Sequence, residues 1–187
     1  STIYDYMKGL DSQYVLVVGD RGKSSDSIAA TKLALALQND QHISLSLMLE
    51  SEVSPNINKI LIGHPCTNSL IQLSCEEWPY ADGQALIKIM GNDLILAGTT
   101  DEDVIFAAEV LGNYASYPLF RNNSAVLVLS IPLNTTTERI IRAKSAFEFV
   151  CGDQICEPGE KYECNTDCEG TSCFDLCKDK GFINAVC

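Results

Sequence analysis

The chain has 187 residues, 46% of them apolar, enough for one α/β domain with a hydrophobic core and a small appendage. Its net charge is −12, from 25 Asp+Glu against 13 Lys+Arg, and no basic patch supplies the cations that nucleic-acid binding needs. No apolar run reaches the roughly 18 residues of a membrane span, so none is expected. The chain starts with Ser and shows no signal peptide, which reads as a mature protein whose targeting segment has been removed.

Residues 1–13 are polar and mixed and read as an N-terminal arm or linker. Tyr14–Val18 is a short β-branched run suited to a buried parallel strand. The turn Gly19–Lys23 follows, and Ser24 or Ser25 then caps a helix to about Asn39, with Asp26 near the positive end of its dipole. On that helix Ile28, Ala29, Ala30, Leu33, Ala34 and Leu37 are expected to face inward. Ile43, Leu45, Leu47 and Leu49 alternate with more polar neighbours, the period of a strand with one wetter face.

Lys59–Gly63 is a second buried strand, with a short helix expected from Thr67 or Asn68. Leu86–Met90 and Leu94–Ala97 flank Gly91-Asn92-Asp93, a hairpin signal. Thr100 is placed as N-cap of a further helix with Asp103 at the reciprocal position, and Val104, Ala107, Ala108 and Leu111 form its apolar face. Ala125–Ile131 and Phe147–Val150 read as strands. Strands alternating with helices predict an α/β fold: a three-layer, mostly parallel sheet with helices on both faces over 14–150. Beyond Cys151 the apolar periodicity stops, and residues 151–187 form a cysteine-rich module too small for a core of its own.

The cysteines are unevenly placed. Cys66 and Cys75 lie in the body; Cys151, Cys156, Cys164, Cys168, Cys173, Cys177 and Cys187 crowd the tail. Zinc ligand sets usually carry C-x2-C pairs and none occurs, so the spacings point to disulfides and an oxidising compartment. Cys75, nine residues on and across the short helix expected there, is a natural disulfide partner for Cys66. The tail's seven cysteines are an odd number, which leaves a free thiol, a bond to another chain, or a partner beyond the end shown. The tail also carries eight acidic against three basic residues, and Asp153, Glu160 and Asp167 are candidates to converge on calcium, a hard cation that takes oxygen ligands. Asn122 and Asn134 head N-x-[ST] sequons and are candidate glycosylation sites.

Two motifs suggest chemistry that the residues do not support. Gly19-Asp20-Arg21-Gly22-Lys23-Ser24 follows a strand and opens a helix, yet it has two residues between its glycines where a phosphate-cradling loop needs four, and Asp20 repels phosphate. His64 stands near Cys66, but a thiol nucleophile must be reduced, and the pairing with Cys75 removes it. With two histidines in the chain and no locatable Ser-His-Asp or paired-carboxylate set, no enzyme is expected.

Three segments together resemble archaeal S-layer-like surface domains. They are Tyr14–Asp20 with Ser25–Thr31, then Gly63-His64-Pro65-Cys66-Thr67-Asn68-Ser69, then Gly83–Lys88 with Leu94–Leu111. The tail, Cys151-Gly152-Asp153-Gln154-Ile155-Cys156 with Cys164-Asn165-Thr166-Asp167-Cys168, resembles a CGDGxC…CxxDC module appended to such proteins; His64 and Gln154 stand where the patterns carry glycine. The resemblance implies a glycosylated, non-catalytic structural role at the cell surface, the chain assembling with itself into a lattice, filament or other homo-polymer. The alternative is a secreted binding module gripping a cell-wall glycan or ligand with the strand-end loops Gly19–Ser24, Gly63–Asn68 and Gly98–Asp101.

Overall fold

The structure, a computed structural model, describes residues 1–132 and 139–145. The tail cysteines, the sequon at Asn134, the candidate calcium ligands Asp153, Glu160 and Asp167, the strand expected over 147–150 and the boundary near Cys151 all lie outside the described residues.

Seven strands form one sheet: β1 Val15–Val18, β2 Ser46–Leu49, β3 Lys59–Gly63, β4 Gln84–Met90, β5 Asp93–Gly98, β6 Ala125–Pro132 and β7 Arg139–Ser145. Their spatial order is β2-β1-β3-β5-β4-β6-β7. Three α-helices accompany them, α1 Ile3–Lys8, α2 Ser24–Gln41 and α3 Asp101–Gly112, with short 3-10 turns at Tyr114–Ser116 and Pro118–Arg121. The expected α/β class is therefore what the chain forms.

β1 and β3 pair in parallel between β2 and β5, and every residue of both is buried. Burial on both faces is why they read as unbroken apolar runs. Each fully buried Leu or Ile there contributes about 1.5–3 kcal/mol. The hairpin around Gly91 and Asn92 joins β4 to β5, with Met90 opposite Asp93. α3 begins as the sequence predicts: the Asp103 N–H donates to Thr100 Oγ1 (3.3 Å), and the Thr100 N–H donates to Asp103 Oδ2 (2.9 Å).

The finer architecture differs from the expectation in four respects. First, the sheet is mixed rather than mostly parallel: β2–β1, β1–β3 and β3–β5 are parallel, while β5–β4, β4–β6 and β6–β7 are antiparallel. The two-residue turn between β4 and β5 can join only antiparallel strands. Second, all three described helices pack on one face, where Leu16, Ile60, Ile87 and Leu96 meet Leu33, Leu37, Ala107 and Leu111. Segments 50–58 and 64–83 lack helical periodicity; they cover the other face as loops, seating Val53, Ile57, Ile71, Leu73 and Trp78 against Val17, Leu61 and Ile95. The short helix expected from Thr67 is replaced by turns in that cover.

Third, the N-terminal residues are no loose arm. Thr2 caps α1, and Ile3 and Met7 are fully buried in the helix-side core; apolar residues four apart share one helix face and drive the docking. Fourth, α2 takes Lys23 as N-cap, with Asp26 rather than Ser24 or Ser25 completing the cap: its carboxylate accepts the Lys23 N–H at 3.0 Å. Ile28 points outward, 47% exposed, because Ala29, Ala30, Leu33 and Leu37 already define the buried side.

Candidate functional site

In open α/β sheets ligands bind in the crevice at the carboxyl ends of parallel strands. Here those ends belong to β1, β3 and β5, so Gly19–Ser24, Gly63–Asn68 and Gly98–Asp101 do gather at one end of the sheet. The loops are packed into one another. A Cβ on Gly19 would lie 1.8 Å from the Thr67 carbonyl oxygen, so the two backbones touch. Asn68 is fully buried, and its amide donates to the carbonyls of Val17 (3.2 Å) and Ile62 (3.0 Å), stitching the ends of β1 and β3. Gly63 adopts φ 127° with the Asp26 carboxylate against its Cα side, a conformation and a space that exclude a side chain.

The titratable groups at this end are committed to the scaffold. Burial pushes the Asp26 carboxyl above its ordinary range, against the lowering effect of the Lys23 N–H it accepts. Lys23 is exposed and pairs with exposed Asp101 at 2.7 Å, a surface contact of small energetic weight. His64 Nδ1 accepts the Cys66 N–H at 3.1 Å, and its ring meets Trp78 edge-on at 5.2 Å. Burial, and then the nearby Lys23 charge, hold the His64 imidazole below its usual value. Cys66 is bonded to Cys75, so the cysteine beside His64 holds no free thiol to act as a nucleophile.

The segment 67–83 holds residues that the sequence reading passed over. Trp78 meets Tyr80 edge-on at 4.9 Å and donates its indole N–H to Thr99 Oγ1 (2.9 Å), while the Thr99 hydroxyl donates to the Tyr80 carbonyl (3.0 Å). The aromatic pair two residues apart was the available signal. Glu50 Oε2 accepts both the N–H (2.6 Å) and the hydroxyl (2.9 Å) of Ser69, pinning this cover to the end of β2.

At the opposite end of the sheet an open cavity of about 450 Å³ is bordered by Asn58, Lys59, Leu70, Gln72, Met90 and Asp93. Its two charged side chains, Lys59 and Asp93, are engaged. Buried Lys59 donates to the Pro55 carbonyl (3.1 Å) and lies 3.6 Å from Asp93, and the Tyr6 hydroxyl reaches the carbonyls of Lys59 and Asn92. Among the described residues, no three His, Cys, Asp or Glu side chains are grouped to hold a metal ion. Asn122 is exposed just before β6. No described helix is long and apolar enough to cross a membrane.

No family model and no curated protein matches the chain. Among solved structures, one chain described as CpGH84D aligns with a TM-score of 0.42 and 11% identity, over 64% of this chain and 20% of its own length. A second, a family GH115 4-O-methyl-alpha-glucuronidase, BtGH115A, with specificity for decorated arabinogalactans, aligns with a TM-score of 0.44 and 10% identity, over 73% of this chain and 18% of its own. The protein thus spans about a fifth of either, and likeness at this level carries no functional argument.

Proposed function

We propose that the chain is a non-catalytic structural subunit of an extracellular, archaeal S-layer-like surface assembly, stapled by disulfides and glycosylated at Asn122 or Asn134. The observation that carries this reading is the filled crevice. Where an α/β protein would bind a substrate, Gly19 touches Thr67, Asn68 is sealed between β1 and β3, and Cys66 is oxidised. What the described residues offer outward is surface: an exposed sequon, an acidic skin and sheet edges. The Cys66–Cys75 bond supports an oxidising compartment. Calcium held by Asp153, Glu160 and Asp167 belongs to the same proposal, as the ion that orders the acidic tail.

A second reading, a module that grips a cell-wall glycan, is favoured by the half-buried Trp78 and Tyr80 rings beside His64 at the strand ends. Electron microscopy of the oxidised full chain, together with peptide mass mapping of native material, separates the two. Polymers or lattices, and glycan mass on either sequon, are the expected result. A monomer that gains thermal stability with cell-wall glycan would transfer the assignment to the second reading.

A further inference from the structure

The loop cover of the sheet leaves a gap, the cavity of about 450 Å³ at the end opposite the strand-end loops. Its floor is the sheet itself: Leu61 of β3, Ile95 beside it on β5, and Met90 at the end of β4. The 55–58 loop, the Leu70–Gln72 stretch of the cover and the Gly91-Asn92 turn wall it in. A cavity of this volume falls within the roughly 300–1,000 Å³ range of small-molecule sites.

Three observations define what it accepts. The first is charge. Asp93 Oδ1 accepts the Lys59 N–H at 3.0 Å, and its Oδ2 lies 3.6 Å from Lys59 Nζ, which also donates to the Pro55 carbonyl. The two charges offset each other, so the cavity does not select an ion. The second is the rim. The side-chain carboxamides of Asn56, Asn58, Gln72 and Asn92 border the cavity, and none of the four has a hydrogen-bond partner among the described residues. The carboxamides that hold the scaffold, at Asn68, Gln84 and Asn123, are bonded. A carboxamide both donates and accepts, and so does a sugar hydroxyl. The third is the apolar floor under that polar rim. The C–H face of a pyranose ring rests on such a floor while its hydroxyls meet the carboxamides. An extended peptide is recognised differently, by addition to an open strand edge. β3, β4 and β5 are interior strands, paired on both sides.

We infer that this cavity is a binding site for a neutral saccharide, held by the carboxamides of Asn56, Asn58, Gln72 and Asn92 over Leu61, Met90 and Ile95. The site lies at the other end of the sheet from the aromatic cluster of Trp78 and Tyr80, and is distinct from it. Two sources carry this chemistry, an external wall polymer and a glycan on the chain itself. The second source rests on the glycosylation proposed above. The Asn122 sequon stands at this same end of the sheet: the Ser124 carbonyl accepts the N–H of Ile89, the residue before Met90, at 2.8 Å.

The test is NMR of the oxidised full chain, produced without glycosylation and labelled at its methionine methyls and tryptophan indole. The chain has three methionines and one tryptophan. Met90 lines the cavity, Met7 lies in the helix-side core, Met48 is on β2, and Trp78 stands at the strand ends. The neutral probes are methyl glucoside, methyl mannoside, methyl galactoside, N-acetylglucosamine, cellobiose and chitobiose. Glucuronate, glucosamine and blocked tetra-alanine are the charged and peptide counterparts. The expected result is a saturable shift of the Met90 methyl with a neutral sugar while Met7, Met48 and Trp78 stay in place. N56A/Q72A removes two exposed carboxamides that make no other contact by hydrogen bond, and should weaken that titration about tenfold; K23A, at the strand ends, should leave it unchanged. Absence of a Met90 shift with every neutral sugar, or an unaltered titration in N56A/Q72A, overturns the site. A shift at Trp78 without one at Met90 also overturns it and moves saccharide binding to the strand ends. An equal response to the charged sugars or to tetra-alanine overturns the neutral-saccharide class. Native material then separates the two sources. A Met90 methyl already at its sugar-shifted position identifies the chain's own glycan as occupant, and one that still answers to added sugar identifies an external polymer. Assembly is read separately by electron microscopy, so failure of this site leaves the subunit reading standing, and the reverse.

Discussion

Gly19 and Thr67 meet backbone to backbone: a methyl group on Gly19 would stand 1.8 Å from the Thr67 carbonyl oxygen and 2.5 Å from its carbon. That contact closes the carboxyl end of β1 against the turn after β3. The obstructing atoms are backbone and cannot swing aside as a side chain would. Gly19→Ala should therefore destabilise the domain by about 3 kcal/mol, at the upper end of overpacking costs. Urea denaturation checks this; a loss below about 1 kcal/mol would mean that the two loops are not packed as described.

Asn68 is the polar counterpart of that contact. Its amide supplies hydrogen to two carbonyls from a fully buried position. Asn68→Ala should cost about 2 kcal/mol, the range for leaving buried acceptors without their donor. Asn68→Asp should cost more and show a distinctive pH dependence. A carboxylate facing two carbonyls in a buried site has a raised pKa in the folded state. Its stability is fully present below the unfolded carboxyl value and is lost as pH rises through the folded one. The Asp variant should then be more stable at pH 4 than at pH 7 relative to the parent, which paired denaturation curves would show.

The helices α2 and α3, the buried strands β1 and β3 and the β4–β5 hairpin were legible because each carries a local signal: a 3.6 or unbroken apolar pattern, a Thr100–Asp103 capping pair, a Gly-Asn turn. The single helical face was not legible. Which side of a sheet a helix takes is decided by connections and packing, and the 64–83 cover holds no periodic pattern, only scattered anchors such as Ile71 and Trp78. β2 was legible as a strand but not as an edge whose apolar side faces outward, since alternation reports two faces without saying which is covered. At the site, the loop positions were found from the strand ends, yet the burial of Asn68 depends on a contact with Val17, 51 residues earlier in the chain, and no local pattern announces it.

The Cys66–Cys75 bond ties the start of the 64–83 cover to its middle across nine residues. Closing a loop of that size removes about 2–3 kcal/mol of unfolded-chain entropy in the chain-entropy picture. Cys66→Ser with Cys75→Ser should lower the melting temperature of the body and increase hydrogen exchange in 64–83 before the β1–β3 core is affected. Reductant should reproduce the effect on the unmodified body. A melting temperature unchanged by both treatments would show that Trp78 and Ile71 alone hold the cover.

His64 and Asp26, both at the closed strand ends, should give the body opposing pH slopes. Burial holds the His64 imidazole below 6.5 in the folded state, with Lys23 adding to the effect. A depressed folded pKa means that stability is complete above the unfolded value near 6.5 and is lost as pH falls through the folded value. Asp26 is raised by burial above 3.8, so its contribution is complete below that value and is lost as pH rises through its folded one. His64→Gln, whose amide oxygen can still accept the Cys66 N–H, should flatten the stability loss between pH 7 and pH 5. Asp26→Asn, which keeps an acceptor for the Lys23 N–H, should remove the loss on the rise from acid pH instead. Proton NMR separates the histidines directly: His64 should titrate below 6.5. A His64 midpoint at or above that value would mean its ring is open to water, and that the strand-end crevice is open too.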